Sequence, residues 1–296
     1  MSRASTKPRL RVRVANSAGF CFGVKRALRL AADTCAGGAR VSMLGEIVHN
    51  EDVLREIKEW GVHHIRRPEP GAHGRLLLIS AHGLPLRVME RARRHGYALV
   101  DATCPMVKHI HRRARALERE GRRVIVIGDP RHDEVKGIVG QLRRRPLVVN
   151  DTVDPDDERL RGLRRAGVVV QSTHDRQRVL AIVASLADRI SDLKFENTIC
   201  RPTTVKQEEV RTLAGENDVM VIIGSQTSAN TRRLYEISMS KNRRTHWIRA
   251  ARDLRPRWFQ GARWVGVSAG ASTPDSVTRS VIDTLRRLPR AAGQGT

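Results

Sequence analysis

Gly19-Phe20-Cys21-Phe22-Gly23-Val24-Lys25 sets a cysteine between two glycines, where an apolar run (Val12, Val14) gives way to a helical pattern (Val24, Ala27, Leu28, Leu30). A thiol at such a turn lies near a helix N-terminus, whose positive dipole end and free N–H groups favour the thiolate, the form that binds metal or attacks. An isolated cysteine is more often a small buried hydrophobe. Two other places repeat the arrangement. Asp101-Ala102-Thr103-Cys104-Pro105 and Asn197-Thr198-Ile199-Cys200 each end an apolar run on a cysteine, ahead of a helix-compatible stretch. Cys21, Cys104 and Cys200, 83 and 96 residues apart, read as three ligands converging from three parts of the chain.

A chain of 296 residues exceeds what one hydrophobic core usually serves, so two or three domains are expected. Hydrophobic residues make up 40% and charges of both signs are interspersed, the balance of a soluble globular protein. No apolar run approaches the roughly 20 residues of a membrane helix, and residues 1–9 lack the apolar stretch of a secretory signal. A cytoplasmic protein with no membrane partner is expected. Four cysteines without a dense framework fit a reducing compartment and a metal or catalytic use. The formal charge of +24 would attract polyanions. Only 3% of residues are aromatic, which leaves few stacking platforms, and no named nucleic-acid signature is present. The arginine clusters at 91–94, 143–145 and 243–244 therefore read first as solvated helix faces. A site for an anionic small substrate or acidic partner comes second, and dedicated nucleic-acid binding last.

Apolar runs at 12–15, 41–44, 63–65, 76–79, 99–100, 124–127, 147–149, 168–170, 219–223, 247–248 and 264–267 read as strands. Helical spacing fills 24–36, 51–60, 85–95, 105–120, 203–214, 234–239 and 277–288, and a helix with two glycines follows 128–134. This alternation predicts an α/β protein with mainly parallel sheets. The cysteine intervals divide it into three similar α/β domains at 10–103, 104–199 and 200–289, with a disordered tail over 290–296. Polar, glycine-containing segments fall after the strands, where open α/β sheets place ligands. Three functional edges turned toward one central cavity would bring the thiols together.

Widely separated cysteines exclude the local patterns of zinc ribbons and ferredoxins. Cys35, roughly 20 Å of helical rise from Cys21, reads as structural. Three thiolates without a fourth would leave one iron of an iron–sulfur cluster with an open coordination position. Ser228-Ala229-Asn230-Thr231 and Gly270-Ala271-Ser272-Thr273-Pro274 lie where strands pass into helices, and read either as phosphate-binding nests or as ordinary N-caps. His49 and His82, at similar passages, are capping or core residues, or donors to a diphosphate. His132-Asp133-Glu134 heads a helix, where acids favour the dipole or where the pair could relay protons. Its His-x-Glu spacing matches one half of the zinc-deaminase signature, but the Pro-Cys-x-x-Cys half is missing.

Together these segments resemble the 4-hydroxy-3-methylbut-2-enyl diphosphate reductase (LytB/IspH) family over about residues 12–288. The match includes Gly-Phe-Cys-x-Gly-Val at 19–24, Glu-Ile-Val-His-Asn at 46–50, Ser-Ala-His-Gly at 80–83 and Asp-Ala-Thr-Cys-Pro at 101–105. It continues through His-x-Glu-Val at 132–135, Gln-Ser-Thr at 171–173, Asn-Thr-Ile-Cys at 197–200 and Gly-Val-Ser-Ala-Gly-Ala-Ser-Thr-Pro at 266–274. The resemblance implies a pseudo-threefold trefoil of three α/β domains around one [4Fe–4S] cluster per chain, held by Cys21, Cys104 and Cys200 with one open iron site. It implies reductive dehydroxylation of an allylic diphosphate to isopentenyl and dimethylallyl diphosphates, with electrons from ferredoxin or flavodoxin. His49, His82, His132, Thr173, Ser228, Ala229, Asn230 and Ser272 would line the substrate. Thr173 would orient its hydroxyl, and Glu134 with His132 would deliver protons. Phe22, Asp133, Ser172 and Ala229 depart from the usual residues, and Ala229 removes one hydroxyl from the diphosphate site. The competing readings are a basic RNA-associated protein with structural cysteines and, third, a zinc hydrolase.

Overall fold

The computed structural model describes residues 10–150 and 157–288. The tail expected at 290–296 lies outside the described residues. In chain order the elements are β1 (Arg11–Val14), α1 (Phe22–Ala36), β2 (Arg40–Leu44), α2 (Glu51–Glu59), β3 (His63–Ile65), β4 (Arg75–Ile79), α3 (Leu86–Arg94) and β5 (Ala98–Asp101). There follow α4 (Pro105–Arg119), β6 (Arg123–Ile127), α5 (Asp133–Val139), β7 (Leu147–Val149), β8 (Arg165–Val170), α6 (Arg176–Ala187) and β9 (Asp192–Phe195). The last described elements are α7 (Arg201–Glu216), β10 (Val219–Ile223), α8 (Ala229–Lys241), β11 (Thr245–Ile248), β12 (Trp264–Ala269) and α9 (Asp275–Arg287).

The strands form three four-stranded parallel sheets in the orders β3-β2-β4-β5, β7-β6-β8-β9 and β11-β10-β12-β1. The three orders are one pattern. In each, the strand that opens the unit is inner, the next is an edge, the third returns to the centre, and the fourth edge strand leads to a cysteine. The third sheet takes its fourth strand from the start of the chain: Arg11 pairs with Trp264 and Val14 with Val267. The expected 10–103 unit therefore loses its first strand, which completes the third sheet instead. A four-residue run of alternating Arg and Val carries no mark of its partner, and β12 lacks a neighbour on that side until β1 supplies it.

Two compact units result. One runs from Phe22 to Cys200 and holds the first two sheets; the other joins the described residues up to Cys21 to those from Arg201 onward and holds the third. The inner strands are buried on both faces and read as unbroken apolar runs. In β10, Val219, Val221 and Ile223 pack with Val281 and Leu285 of α9. Met220 and Ile222 turn to Val210 and Ala214 of α7 and to Leu234 and Ile237 of α8. In the other unit, Ile125, Ile127, Val168 and Val170 meet Val179, Ile182 and Leu186 of α6. Val124, Val126 and Val169 meet Ile110, Ala114 and Leu117 of α4. The helix α6 and strand β9 are additions to the sequence expectation. Leu180, 46% exposed, blurs the apolar stripe of α6, and β9 is a four-residue edge strand, Asp-Leu-Lys-Phe.

Gly167, at the centre of β8, lets α4 lie against the sheet: a Cβ there would stand 2.7 Å from Leu117 Cδ2. Gly167→Ala is expected to destabilise by about 1–3 kcal/mol through overpacking, read as a lower urea midpoint with an unchanged m-value.

Candidate functional site

In each sheet the chain leaves the two inner strands in opposite directions, which opens a crevice between their C-terminal ends. These crevices fall between β2 and β4, between β6 and β8, and between β10 and β12. His49 follows β2 and His82 follows β4; His132 and Glu134 follow β6, and Ser172 and Thr173 follow β8. Ser228, Ala229 and Asn230 follow β10 and Ser272 follows β12, while Cys104, Cys200 and Cys21 follow the fourth strands β5, β9 and β1.

Within the unit from Phe22 to Cys200 three histidines meet. His49 and His82 stack with ring centroids 4.4 Å apart, and His132 stands edge-on at 5.0 Å and 5.3 Å. Each is set by its own loop. His49 Nδ1 lies 2.8 Å from Glu46 Oε2, just before Asn50 caps α2 by accepting from the N–H groups of Asp52 and Val53. Ser80 Oγ accepts from the His82 N–H at 3.3 Å. His132 is the N-cap of α5, and its Nδ1 accepts from the Glu134 N–H at 3.1 Å. Gly83, at φ +78°, leaves room beneath the His82 turn for the buried His111 ring, 2.8 Å from where a Cβ would stand.

One ring nitrogen from each of His49, His82 and His132 lies within 4.8 Å of the others, a spacing that invites a metal. The tautomer of His132 argues for an anion. With Nδ1 engaged as an acceptor, the neutral ring carries its proton on Nε2 and so presents a donor to the crevice. Burial, then repulsion from His49 and His132, holds His82 well below the usual histidine range. Burial, then His49, brings His132 down to about 4. At neutral pH these two rings favour the uncharged form.

Glu134 is 2% exposed, and Ser172 closes on it from β8: the Ser172 N–H donates to Oε1 at 2.6 Å and its Oγ to Oε2 at 2.8 Å. Burial pushes the Glu134 carboxyl up, against the opposing pull of the two Ser172 hydrogen bonds and the His49 charge. In the sequence Ser172 stands out only as a departure from the usual threonine. The signal that could have found it is position, directly after β8 and one residue before Thr173, whose half-buried Oγ1 accepts from Gln171 Nε2 at 3.3 Å. Asp133, another departure, opens α5 after β6 and pairs with Lys136 at 3.0 Å in its first turn.

Two cysteines are tied by backbone to these loops. The Cys104 N–H donates to Ala81 O at 3.0 Å, beside His82, and Cys104 is the N-cap of α4 with Pro105 in the first turn. The Cys200 N–H donates to Ser172 O at 3.1 Å, and Thr198 Oγ1 bridges the Val170 N–H and C=O at 2.7 Å and 2.6 Å. Cys35 lies in the last turn of α1, where burial pushes its thiol up.

In the other unit the Cys21 N–H donates to Ala271 O at 3.2 Å. Ser228 caps α8, its Oγ accepting from the Thr231 N–H. Asn230 is 5% exposed, yet neither amide atom has a partner, and Thr231 Oγ1 and Ser268 Oγ are likewise buried without one. Ser272, 7% exposed, sits in the adjoining turn after β12. Buried polar atoms without partners thus lie at the start of α8 and in β12, next to a helix N-terminus whose N–H groups favour anions.

Crevices that gather hydrogen-bond donors and a buried carboxyl, with partly exposed thiols on the loops that follow the edge strands, define an α/β protein equipped to bind an anion and handle protons. The chain belongs to the family described as LytB protein, whose sequence profile matches residues 12–286. It is 40% identical over 278 residues to the 4-hydroxy-3-methylbut-2-enyl diphosphate reductase of Aquifex aeolicus, spanning 93% of this chain and 96% of that one. The enzyme of the same name from Citrifermentans bemidjiense is 38% identical, spanning 95% and 99%. A solved structure described as (E)-4-hydroxy-3-methyl-but-2-enyl diphosphate reductase, the terminal enzyme of the non-mevalonate pathway, superposes with a TM-score of 0.68 at 39% identity, covering 93% of this chain and 99% of the other. The fold is shared with the Plasmodium falciparum reductase at a TM-score of 0.86 and 24% identity, covering 98% and 94%.

The depressed His132 gives a pH dependence of known sign. Its folded value lies below its unfolded one, so its contribution is complete above about pH 6.5 and is lost as pH falls toward about 4. His132→Asn keeps an N-cap acceptor but cannot titrate. Urea unfolding of the metal-free protein at pH 7 and pH 5 is expected to show a smaller acid loss in the variant, by about 1–2 kcal/mol.

Proposed function

We infer that the protein is a reductase that converts (E)-4-hydroxy-3-methylbut-2-enyl diphosphate to isopentenyl and dimethylallyl diphosphates, the terminal step of the non-mevalonate isoprenoid pathway. The observation that carries this reading is the buried Glu134–Ser172 pair opening beside three histidines, in a chain of the LytB family. In the overall change the substrate C–O bond breaks, two electrons enter, the hydroxyl leaves as water with one proton, and a second proton goes to the allylic carbon skeleton.

The family implies an iron–sulfur cluster, and the donor set fits one. Cys21, Cys104 and Cys200 are outside any disulfide, partly exposed, placed after the fourth strand of each sheet and followed at once by a helix. They are the proposed ligands of a [4Fe–4S] cluster with one open iron site; Cys35, at the far end of α1, is outside the set. When bound, such a cluster supplies one-electron transfer and a Lewis-acidic position for the substrate oxygen.

The protein's own residues supply the rest. His49, His82, His132, Ser228, Asn230, Ser272 and the Ala229 N–H hold the diphosphate, and the two depressed histidines become charged as it binds. Burial favours the proton-carrying form of Glu134, and the Ser172 N–H and Oγ hold the two carboxyl oxygens in place for proton delivery. Thr173, half-exposed next to Ser172, orients the substrate hydroxyl, and His132 returns a proton to Glu134. Ferredoxin or flavodoxin is the proposed electron donor, since both are acidic and this chain carries a formal charge of +24. Among the described residues no helix is long and apolar enough to cross a membrane.

Anaerobic purification should give a brown protein with iron and sulfide, and turnover of the allylic diphosphate with a chemical reductant. Zinc without sulfide, or RNA that survives high-salt washing, would sink the reading. Serine at position 21, 104 or 200 is expected to lose the cluster, whereas Cys35→Ser retains it. Glu134→Gln should lower turnover about 10²- to 10⁴-fold with little change in substrate affinity. Ser172→Ala should cost about 10-fold or more, as expected for one hydrogen bond to a reacting carboxyl. Turnover of Glu134→Gln within a few-fold of the parent, at full cluster content, would remove it as the acid.

A further inference from the structure

Lys206 is one of the largest of the most deeply buried side chains among the described residues, at 2% exposure on α7, and no step of the reaction uses it. Its ammonium donates to the carbonyl oxygens of Ser17, of Gly19 at 2.9 Å and of Ala269 at 3.4 Å. An ammonium has three donors, and three carbonyl dipoles converge on it. One turn along α7, Glu209 Oε2 accepts from the Ser17 N–H at 3.0 Å and from Ser17 Oγ at 2.6 Å. The same turn is tied to the end of β12 by Gly19 N–H to Ala269 O and to the loop after it by Cys21 N–H to Ala271 O. At Gly19 the backbone takes φ +91°, and Asp275 Oδ1 lies 2.8 Å from where a Cβ would stand.

Burying a charge on a long, flexible side chain is costly, and a neutral core residue would pack α7 against β12 at less expense. What the charge adds is a grip on the carbonyls of Ser17 and Gly19 and a cation held 2.9 Å from the Gly19 carbonyl, in the turn that leads into Cys21. We propose that Lys206 is a positioning residue for the Cys21 turn, which presets the thiol and puts a buried cation on the same turn as that ligand. The inference rests on Cys21 being a cluster ligand, as proposed above. Outer-shell groups of this kind orient ligands, and local charge sets the potential of a cluster. A buried cation favours the state with the added electron.

Hydrogen exchange of the cluster-free protein and reduction potential of the loaded protein test the two roles separately. Lys206→Met should speed exchange of the amides at 16–21 by about 10-fold or more, with the strands of the same sheet unchanged. It should also shift the potential to more negative values. Lys206→Arg keeps the charge and should hold the parent potential. Glu209→Ala loosens the same turn without removing the cation, and should speed exchange with no negative shift. If Lys206→Met does not fold, Lys206→Gln provides the same neutral contrast with two donors retained. Exchange at 16–21 unchanged in the neutral variant, or one potential shared by the parent, neutral and arginine forms, overturns the proposal. A parent protein without iron and sulfide overturns the ligand assignment instead, and the exchange arm still reports on the grip.

Discussion

Parallel pairing is the constraint from which the rest follows. Parallel strands need a crossover between each neighbouring pair, so both faces of the sheet are covered and every strand ends on the same side. Side chains in the inner strands are committed to packing, as the alternating faces of β10 show. Polar chemistry is left to the loops after the strands, and helices begin there with free N–H groups. The repeated strand order means that three sheets produce the same two kinds of position three times: a crevice between the inner strands, and an edge loop ending in a cysteine.

The crevices differ in what burial does to charge. In the loops after β4 and β6, His82 and His132 are held below the usual histidine range by the cost of desolvation and by neighbouring rings. Next to them the same cost acts on Glu134 in the opposite sense, because an acid is neutral when it carries its proton. One dry environment thus weakens the hold of these imidazoles on a proton and strengthens that of the carboxyl.

The sequence showed most of this where the signal was local. Strands covered on both faces and three cysteines at strand ends could be read from periodicity and spacing, whereas loop chemistry marked His49, His82 and the His132–Glu134 pair only as candidates beside ordinary caps, and the family resemblance supplied their roles. What could not be read depends on distant pairing. The partner of β1 is fixed by an open edge on β12, the role of Ser172 by the approach of the β6 and β8 loops, and that of Lys206 by carbonyls on β12 and the Cys21 turn. Lys206 stands in a mixed polar stretch, Thr-Val-Lys-Gln-Glu, which reads as an ordinary helix surface until its surroundings are known.

The pairing of β1 with β12 also imposes an order on synthesis. Arg11 leaves the ribosome roughly 250 residues before Trp264, its partner in register. At about 5–20 residues per second that is a wait of some ten to fifty seconds. In that interval the segment from Phe22 to Cys200, with both of its sheets complete from its own strands, can fold. The first strand meanwhile remains an unpaired ribbon ahead of it. Closing the last sheet is then a long-range event that resembles the capture of a separate peptide by an open edge, and the turn that carries Cys21 acquires its fixed shape only at that closing step.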